Sequence, residues 1–100
     1  MESGRPRGSL GAEPDVKKRA RNQIRTVIGH AQGIEKMIEQ DRYCIDILKQ
    51  IAAVQASLSK VAHLISESHM KHCVAQALEH GKGEEKIKEL METFKYLKHF

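Results

Sequence analysis

Two cysteines and one histidine are the residues of this sequence best suited to carry chemistry. His69 and Cys73 lie four positions apart, so on a helix they stand one turn apart on the same face, a chelating spacing for a metal ion. Cys44 precedes them by 25 and 29 residues. At about 100° per residue those separations leave rotations of about 20° to either side, so on one unbroken helix all three side chains point the same way. Along the axis, however, Cys44 is ~37–44 Å from the other two. One straight helix cannot close such a site. Two antiparallel copies can, because a two-fold axis near the helix middle sets Cys44 of one chain beside His69 and Cys73 of the other, twice per dimer. Two thiolates and an imidazole are soft donors. Softness selects Cu(I), zinc or iron–sulfur chemistry, and three-coordination favours Cu(I). A second reading stays open, a thiol- or persulfide-sensing repressor or a cytosolic copper-binding protein, in which Cys44 and Cys73 of two chains form a disulfide or persulfide or store metal and DNA binding is incidental.

The elements that must position these residues follow from the apolar spacing. From Val16 to Gln40 apolar residues fall at Ala20, Ile24, Val27, Ala31, Ile34 and Ile38, stepping by four and three like a coiled-coil seam. Asp15 is placed to cap this helix, and Gly29 and Gly33 permit close helix approach. A short connection at Asp41 and Arg42 leads to a second helix over 43–80 with the seam Ile47, Ile51, Val54, Leu58, Val61 and Ile65. Gly81 is placed to end it. A third helix over 84–98 carries Ile87, Leu90, Met91, Phe94 and Leu97 on one face. Its glutamates alternate with Lys86, Lys88 and Lys95 in the manner of a solvated face. No segment alternates as a strand does. The expected fold is all-α: an antiparallel helical hairpin plus a short third helix, one domain over 15–100 behind a disordered tail over 1–14 that is rich in Gly, Pro and Ser. Folded back from Asp41, the first helix runs out near residue 68 of the second, at ~1.5 Å per residue. The segment beyond is left uncovered by the hairpin, and a second copy is the simplest cover.

Charge is placed unevenly. Residues 1–30 hold seven Lys/Arg against three acids, whereas residues 31–100 balance at ten of each, so the whole net charge of +4 sits at one end. Lys18, Arg21 and Arg25 form a stripe at helical spacing, with Lys17 and Arg19 beside it, suited to tracking phosphates. Cations at a helix N-terminus oppose the macrodipole, a costly placement that points to a polyanionic partner. There is no helix-turn-helix pair or zinc finger, so contact would use the helical surface of an oligomer. The remaining histidines, His30, His63, His72, His80 and His99, lack comparable partners and read as surface or packing residues. No Gly-rich phosphate loop, nucleophile motif or carboxylate pair near the Cys/His set supports an enzyme. No apolar run approaches a membrane span, nothing near Met1 resembles a signal peptide, and a cytoplasmic location is expected, where two cysteines act as ligands or redox sensors.

At these residues the sequence resembles the copper-sensing operon repressors (CsoR) and their nickel-, formaldehyde- and persulfide-sensing relatives. The likeness covers about residues 16–98. It is strongest in DRYCIDILKQIAAVQASLSKVA (41–62), in SHMKHCV (68–74) with its His-x3-Cys, and in GKGEEKIKELMETF (81–94). The resemblance implies a dimer of helical hairpins paired into a homotetramer, with Cu(I) held by Cys44, His69 and Cys73 across the dimer. It also implies that the metal-free form represses by binding operator DNA and that metal binding releases it, derepressing copper-resistance genes. By the same carry-over Tyr43 and Glu89 sit beside the ligands and link the site to the third helix. The expected DNA contacts, from the basic stripe itself, are Lys18, Arg19, Arg21 and Arg25, with help from Lys60. The nickel branch uses a His near the N-terminus, absent from this tail. The formaldehyde branch lacks the Cys at position 73, and the persulfide branch lacks the His at position 69. The chain departs from the family on the DNA side, with Gln23 where Arg is common, Ile28 where a polar or basic residue is common, and Lys60 where Arg is common.

Overall fold

The computed structural model describes residues 10, 13–81 and 83–100. Most of the expected tail, residues 1–9, 11 and 12, lies outside the described residues. Three helices follow, α1 (Pro14–Glu39), α2 (Cys44–His80) and α3 (Gly83–Leu97), with no strand among the described residues. Each boundary falls within two residues of the one expected from sequence.

The start of α1 differs from expectation. Pro14 occupies the first helical turn, where its missing N–H costs nothing, and Asp15 lies inside the helix rather than capping it. Glu13 is the N-cap and makes no side-chain cap bond. Its carboxylate is engaged elsewhere, accepting from His72 Nε2 on α2 at 3.0 Å. The turn between α1 and α2 is built on Asp41, whose φ of +53° is left-handed. The Asp41 N–H donates to the Ile38 carbonyl and that of Arg42 to Met37, at 3.1 and 3.0 Å, the paired bonds of a Schellman turn. At the far end of α2, Gly81 takes φ +67° and its N–H donates to Ala77 at 3.1 Å, as a terminating glycine should.

Both α1 and α3 pack on α2, and not on each other. Running antiparallel from the Asp41 turn, α1 reaches as far as His72. Beyond Gly81, α3 folds back until the Phe100 carbonyl accepts from the Ser59 hydroxyl at 3.0 Å. The expected overhang begins about a turn later than residue 68: α3 and the first turn of α1 bury Ser68 and Cys73, while Val74 and Leu78 beyond them stay exposed. More apolar surface is left bare along the seam. Of the α2 seam, Val61 is buried and Ile47 and Val54 are half-buried toward α1, while Ile51, Leu58 and Ile65 stay exposed. A single chain buries little beyond Ala20, Ile34, Val61 and Cys73 among its apolar residues, a thin core for ~100 residues. No helix among the described residues is long and apolar enough to cross a membrane.

Candidate metal centre

The three sulfur and nitrogen donors occupy the two ends of α2. Cys44 is its first residue and is exposed. Tyr43, the N-cap, is exposed beside it, and its side chain makes no cap bond. Nothing else among the described residues is folded over this end.

The other end is enclosed. Cys73 is 2% exposed because α3 lies across it. Its thiol donates to the Lys86 carbonyl at 3.4 Å and lies 3.9 Å from Glu89 Oε2. Glu89 in turn accepts from Lys86 Nζ at 3.2 Å. Half-buried His69 lines a cleft of about 260 Å³ together with Glu89, Glu92, Thr93 and Tyr96 of α3. The structure thus brings Glu89 to Cys73 and into a cleft that it shares with His69, and leaves Cys44 and Tyr43 at the opposite end of the helix. No cluster of three or more potential ligands forms among the described residues of one chain.

What joins the two ends is a surface stripe. At the same four-and-three spacing, Cys44 is followed by Leu48, Ile51, Gln55, Leu58, Ala62, Ile65 and His69. Leu48, Ile51, Leu58 and Ile65 are all exposed on α2. An apolar stripe that neither α1 nor α3 covers therefore begins at one candidate donor and ends at another, with Cys73 one turn further on. An antiparallel copy laid along it, with its two-fold axis near Leu58, would cover the apolar residues and set each Cys44 against the partner's enclosed end.

Lys86 corrects the sequence reading. Expected on a solvated face, it is 4% exposed, with its ammonium on Glu89. Several of the other histidines have local partners. The His30 Nε2 lies 2.6 Å from Gln50 Oε1 between α1 and α2, His72 pairs with Glu13, and His80 lies 3.7 Å from its neighbour Glu79. Of the basic residues, Lys18, Arg19, Arg21 and Arg25 are exposed along α1, opposite buried Ala20 and Ile34. Lys60 lines a groove of about 180 Å³ with Gln23 and Thr26 of α1 and Ser57 of α2. Arg19 stands one turn before Gln23, so a basic residue flanks that groove from each helix.

Fold and donors together define a class: small three-helix chains that carry soft-metal donors at the two ends of their longest helix and a cationic face on the first. The profile of the metal-sensitive transcriptional repressor family matches residues 16–96, and the chain belongs to that family. It is 49% identical over 74 residues to the copper-sensing transcriptional repressor CsoR of Bacillus subtilis strain 168, covering 74% of this chain and 73% of that one. It is 40% identical over 88 residues to the CsoR of Mycobacterium tuberculosis H37Rv, covering 87% and 74%. Among solved structures, the Cu(I) form of CsoR from Geobacillus thermodenitrificans NG80-2 superposes with a TM-score of 0.74 at 35% identity, over 96% of this chain and 93% of that one. The nickel-responsive regulator InrS superposes at 0.76 with 32% identity, over 80% and 90%.

Proposed function

We propose that this chain is a Cu(I)-responsive transcriptional repressor whose metal-free oligomer binds operator DNA and whose metal-filled form releases it. The carrying observation is the division of the donors: exposed Cys44 and enclosed His69 and Cys73 terminate one unpartnered apolar stripe on α2. Cys44 of one protomer with His69 and Cys73 of its partner would hold Cu(I) at two sites per dimer, and dimers would pair into a homotetramer. The donor set fits the metal, since two thiolates and an imidazole form a soft three-coordinate set with no fourth ligand. Copper-sensing CsoR relatives at 40–49% identity support this metal over nickel.

Lys18, Arg19, Arg21 and Arg25, with Lys60 at the interhelical groove, supply the contacts to DNA phosphates. Gln23 sits in the same groove and offers an amide where a cation would strengthen phosphate contact, so operator affinity rests more heavily on Arg19 and Lys60. The reading assigns the chain no catalysis. Tyr43 of one protomer and Glu89 of its partner would flank the filled site and connect it to α3.

The exposure of Cys44 favours one rival, a thiol or persulfide sensor in which polysulfide passes a sulfane sulfur to one of Cys44 and Cys73, and the other cysteine displaces it as hydrosulfide to close a disulfide across the dimer. One experiment separates the two. The metal-free protein selects a duplex from a random-sequence pool, and its affinity for that duplex is measured under reducing conditions with and without Cu(I). A loss of affinity with one Cu(I) per chain is expected, of about 5–150-fold for a typical allosteric coupling. Release by polysulfide but not by Cu(I) would give the chain to the rival.

A further inference from the structure

Lys86 is on the wrong side of its helix. Along α3, Ile87, Met91 and Phe94 are exposed, while the one buried residue is a lysine at 4% exposure. An amphipathic helix puts its ammonium groups in water and its apolar groups inside, so this inversion requires a local cause. That cause is a polar cluster around the sulfur of Cys73. Lys86 Nζ holds Glu89 Oε2 at 3.2 Å, that same oxygen lies 3.9 Å from Cys73 Sγ, and the Lys86 carbonyl accepts from the thiol at 3.4 Å. Glu89 also lines a cleft with His69. Glu89 is therefore the group of α3 that lies on Cys73 and shares a cleft with His69, and Lys86 is what fixes it there.

We infer that Lys86 is a positioning residue for metal response: it pins the Glu89 carboxylate beside Cys73, in the cleft shared with His69, so that a change at those residues is passed to α3. The inference rests on the Cu(I)-repressor reading and adds to it a residue that touches neither metal nor DNA. Two considerations separate this role from a purely structural one. A buried ion pair contributes little net stability, since desolvating both charges offsets most of their attraction, and removing one partner is costly only where the charge left behind stays buried. A glutamate without its lysine, being 29% exposed on its side chain, is free to turn to water and leave both ligands. Stability and coupling therefore depend on the pair very differently.

The test uses full-length oligomer and the duplex selected by the metal-free wild type. Lys86→Met keeps the length and the apolar stem of the side chain. It should keep one Cu(I) per chain, the metal-free DNA affinity and the metal-free melting temperature. The Cu(I)-induced loss of DNA affinity should shrink by a factor on the order of 2–30, the usual range for residues that carry coupling without touching either ligand. Lys86→Arg should restore most of it. Because Lys86 acts through Glu89, adding Lys86→Met to Glu89→Gln should change the coupling no further, a non-additivity that a double-mutant cycle reads directly. Should Lys86→Met fail to melt cooperatively, Lys86→Gln carries the same cycle. Undiminished coupling in the single variant, or additive losses in the double, overturns the role of Lys86 alone. A wild-type protein that keeps its DNA at saturating Cu(I) overturns the repressor reading, and the role of Lys86 with it.

Discussion

The two ends of α2 carry donors of the same chemistry in opposite surroundings. At its N-terminus Cys44 and Tyr43 stand in the open, with no helix of the described residues packed over them. At its C-terminal end His69 and Cys73 are roofed by α3, and Cys73 touches a carboxylate and a carbonyl of that helix. The difference separates two tasks. The enclosed end is wired to the rest of the fold, since α3 touches it directly and α1 begins beside it through the Glu13–His72 pair. On the proposed reading the open end is a plug, a donor presented for insertion into another copy. A chain built this way would sense only when paired, because neither end alone would supply all three of Cys44, His69 and Cys73.

The largest effect should come from breaking the pairing of plug and socket. Cys44→Ala or His69→Ala should each abolish tight Cu(I) binding in its homo-oligomer, read by competition with a Cu(I) chelator. Mixed under conditions that exchange subunits, the two variants should rescue each other. In a mixed dimer one site lacks both residues, while the other has Cys44 from the His69→Ala chain and His69 with Cys73 from the Cys44→Ala chain. Random mixing makes about half the dimers mixed, so roughly a quarter of all sites should recover, as the symmetry of an isologous pair requires. A site closed within one chain gives no rescue, so zero recovery after demonstrated exchange would refute the plug and socket.

A smaller effect tests whether the DNA surface belongs with the enclosed end. The basic stripe starts one turn after Glu13, whose carboxylate is tied to the residue preceding Cys73. Arg21→Ala with Arg25→Ala should weaken DNA binding and lower the salt slope of log affinity by about 0.9 for each phosphate no longer neutralised, hence by ~1.8 for two. Cu(I) binding in the absence of DNA should be unchanged. A double variant with unaltered slope removes the stripe from the mechanism.

Much of this was legible in the sequence. The four-and-three spacing of apolar residues placed three helices to within two residues, and the separations of Cys44, His69 and Cys73 put the donors on one face of one helix. Periodicity gives the direction of an apolar face but not what covers it, so the sequence did not show that α3 folds over α2 at Cys73. Lys86 was unreadable for a related reason. On α3 it alternates with glutamates as a solvated lysine would, and only its pairing with Glu89 makes a buried ammonium tolerable. The Glu13–His72 pair joins residues 59 apart, and no local pattern announces such a pairing.

The smallest effects should come from the turns that set the two ends. Each turn rests on one left-handed residue, Asp41 at the open end with φ +53° and Gly81 at the enclosed end with φ +67°. A Cβ added at Gly81 meets nothing within 4 Å, so Gly81→Ala tests backbone strain alone. It should cost about 1 kcal/mol, the left-handed penalty less what alanine removes from the freedom of the unfolded chain. At Asp41 the residue already tolerates this conformation, and glycine would relieve little strain while loosening the unfolded chain. Asp41→Gly should therefore stay within about 0.5 kcal/mol of wild type. Urea melts at one fixed chain concentration read both, because association of copies otherwise shifts the midpoint. Their consequences for sensing should differ as the two ends differ. The Gly81 turn carries α3 onto Cys73, so Gly81→Ala should also reduce the Cu(I)-induced loss of DNA affinity, whereas Asp41→Gly should leave it intact. Equal loss of response in both variants would mean that the two ends of α2 are not the separate devices their surroundings indicate.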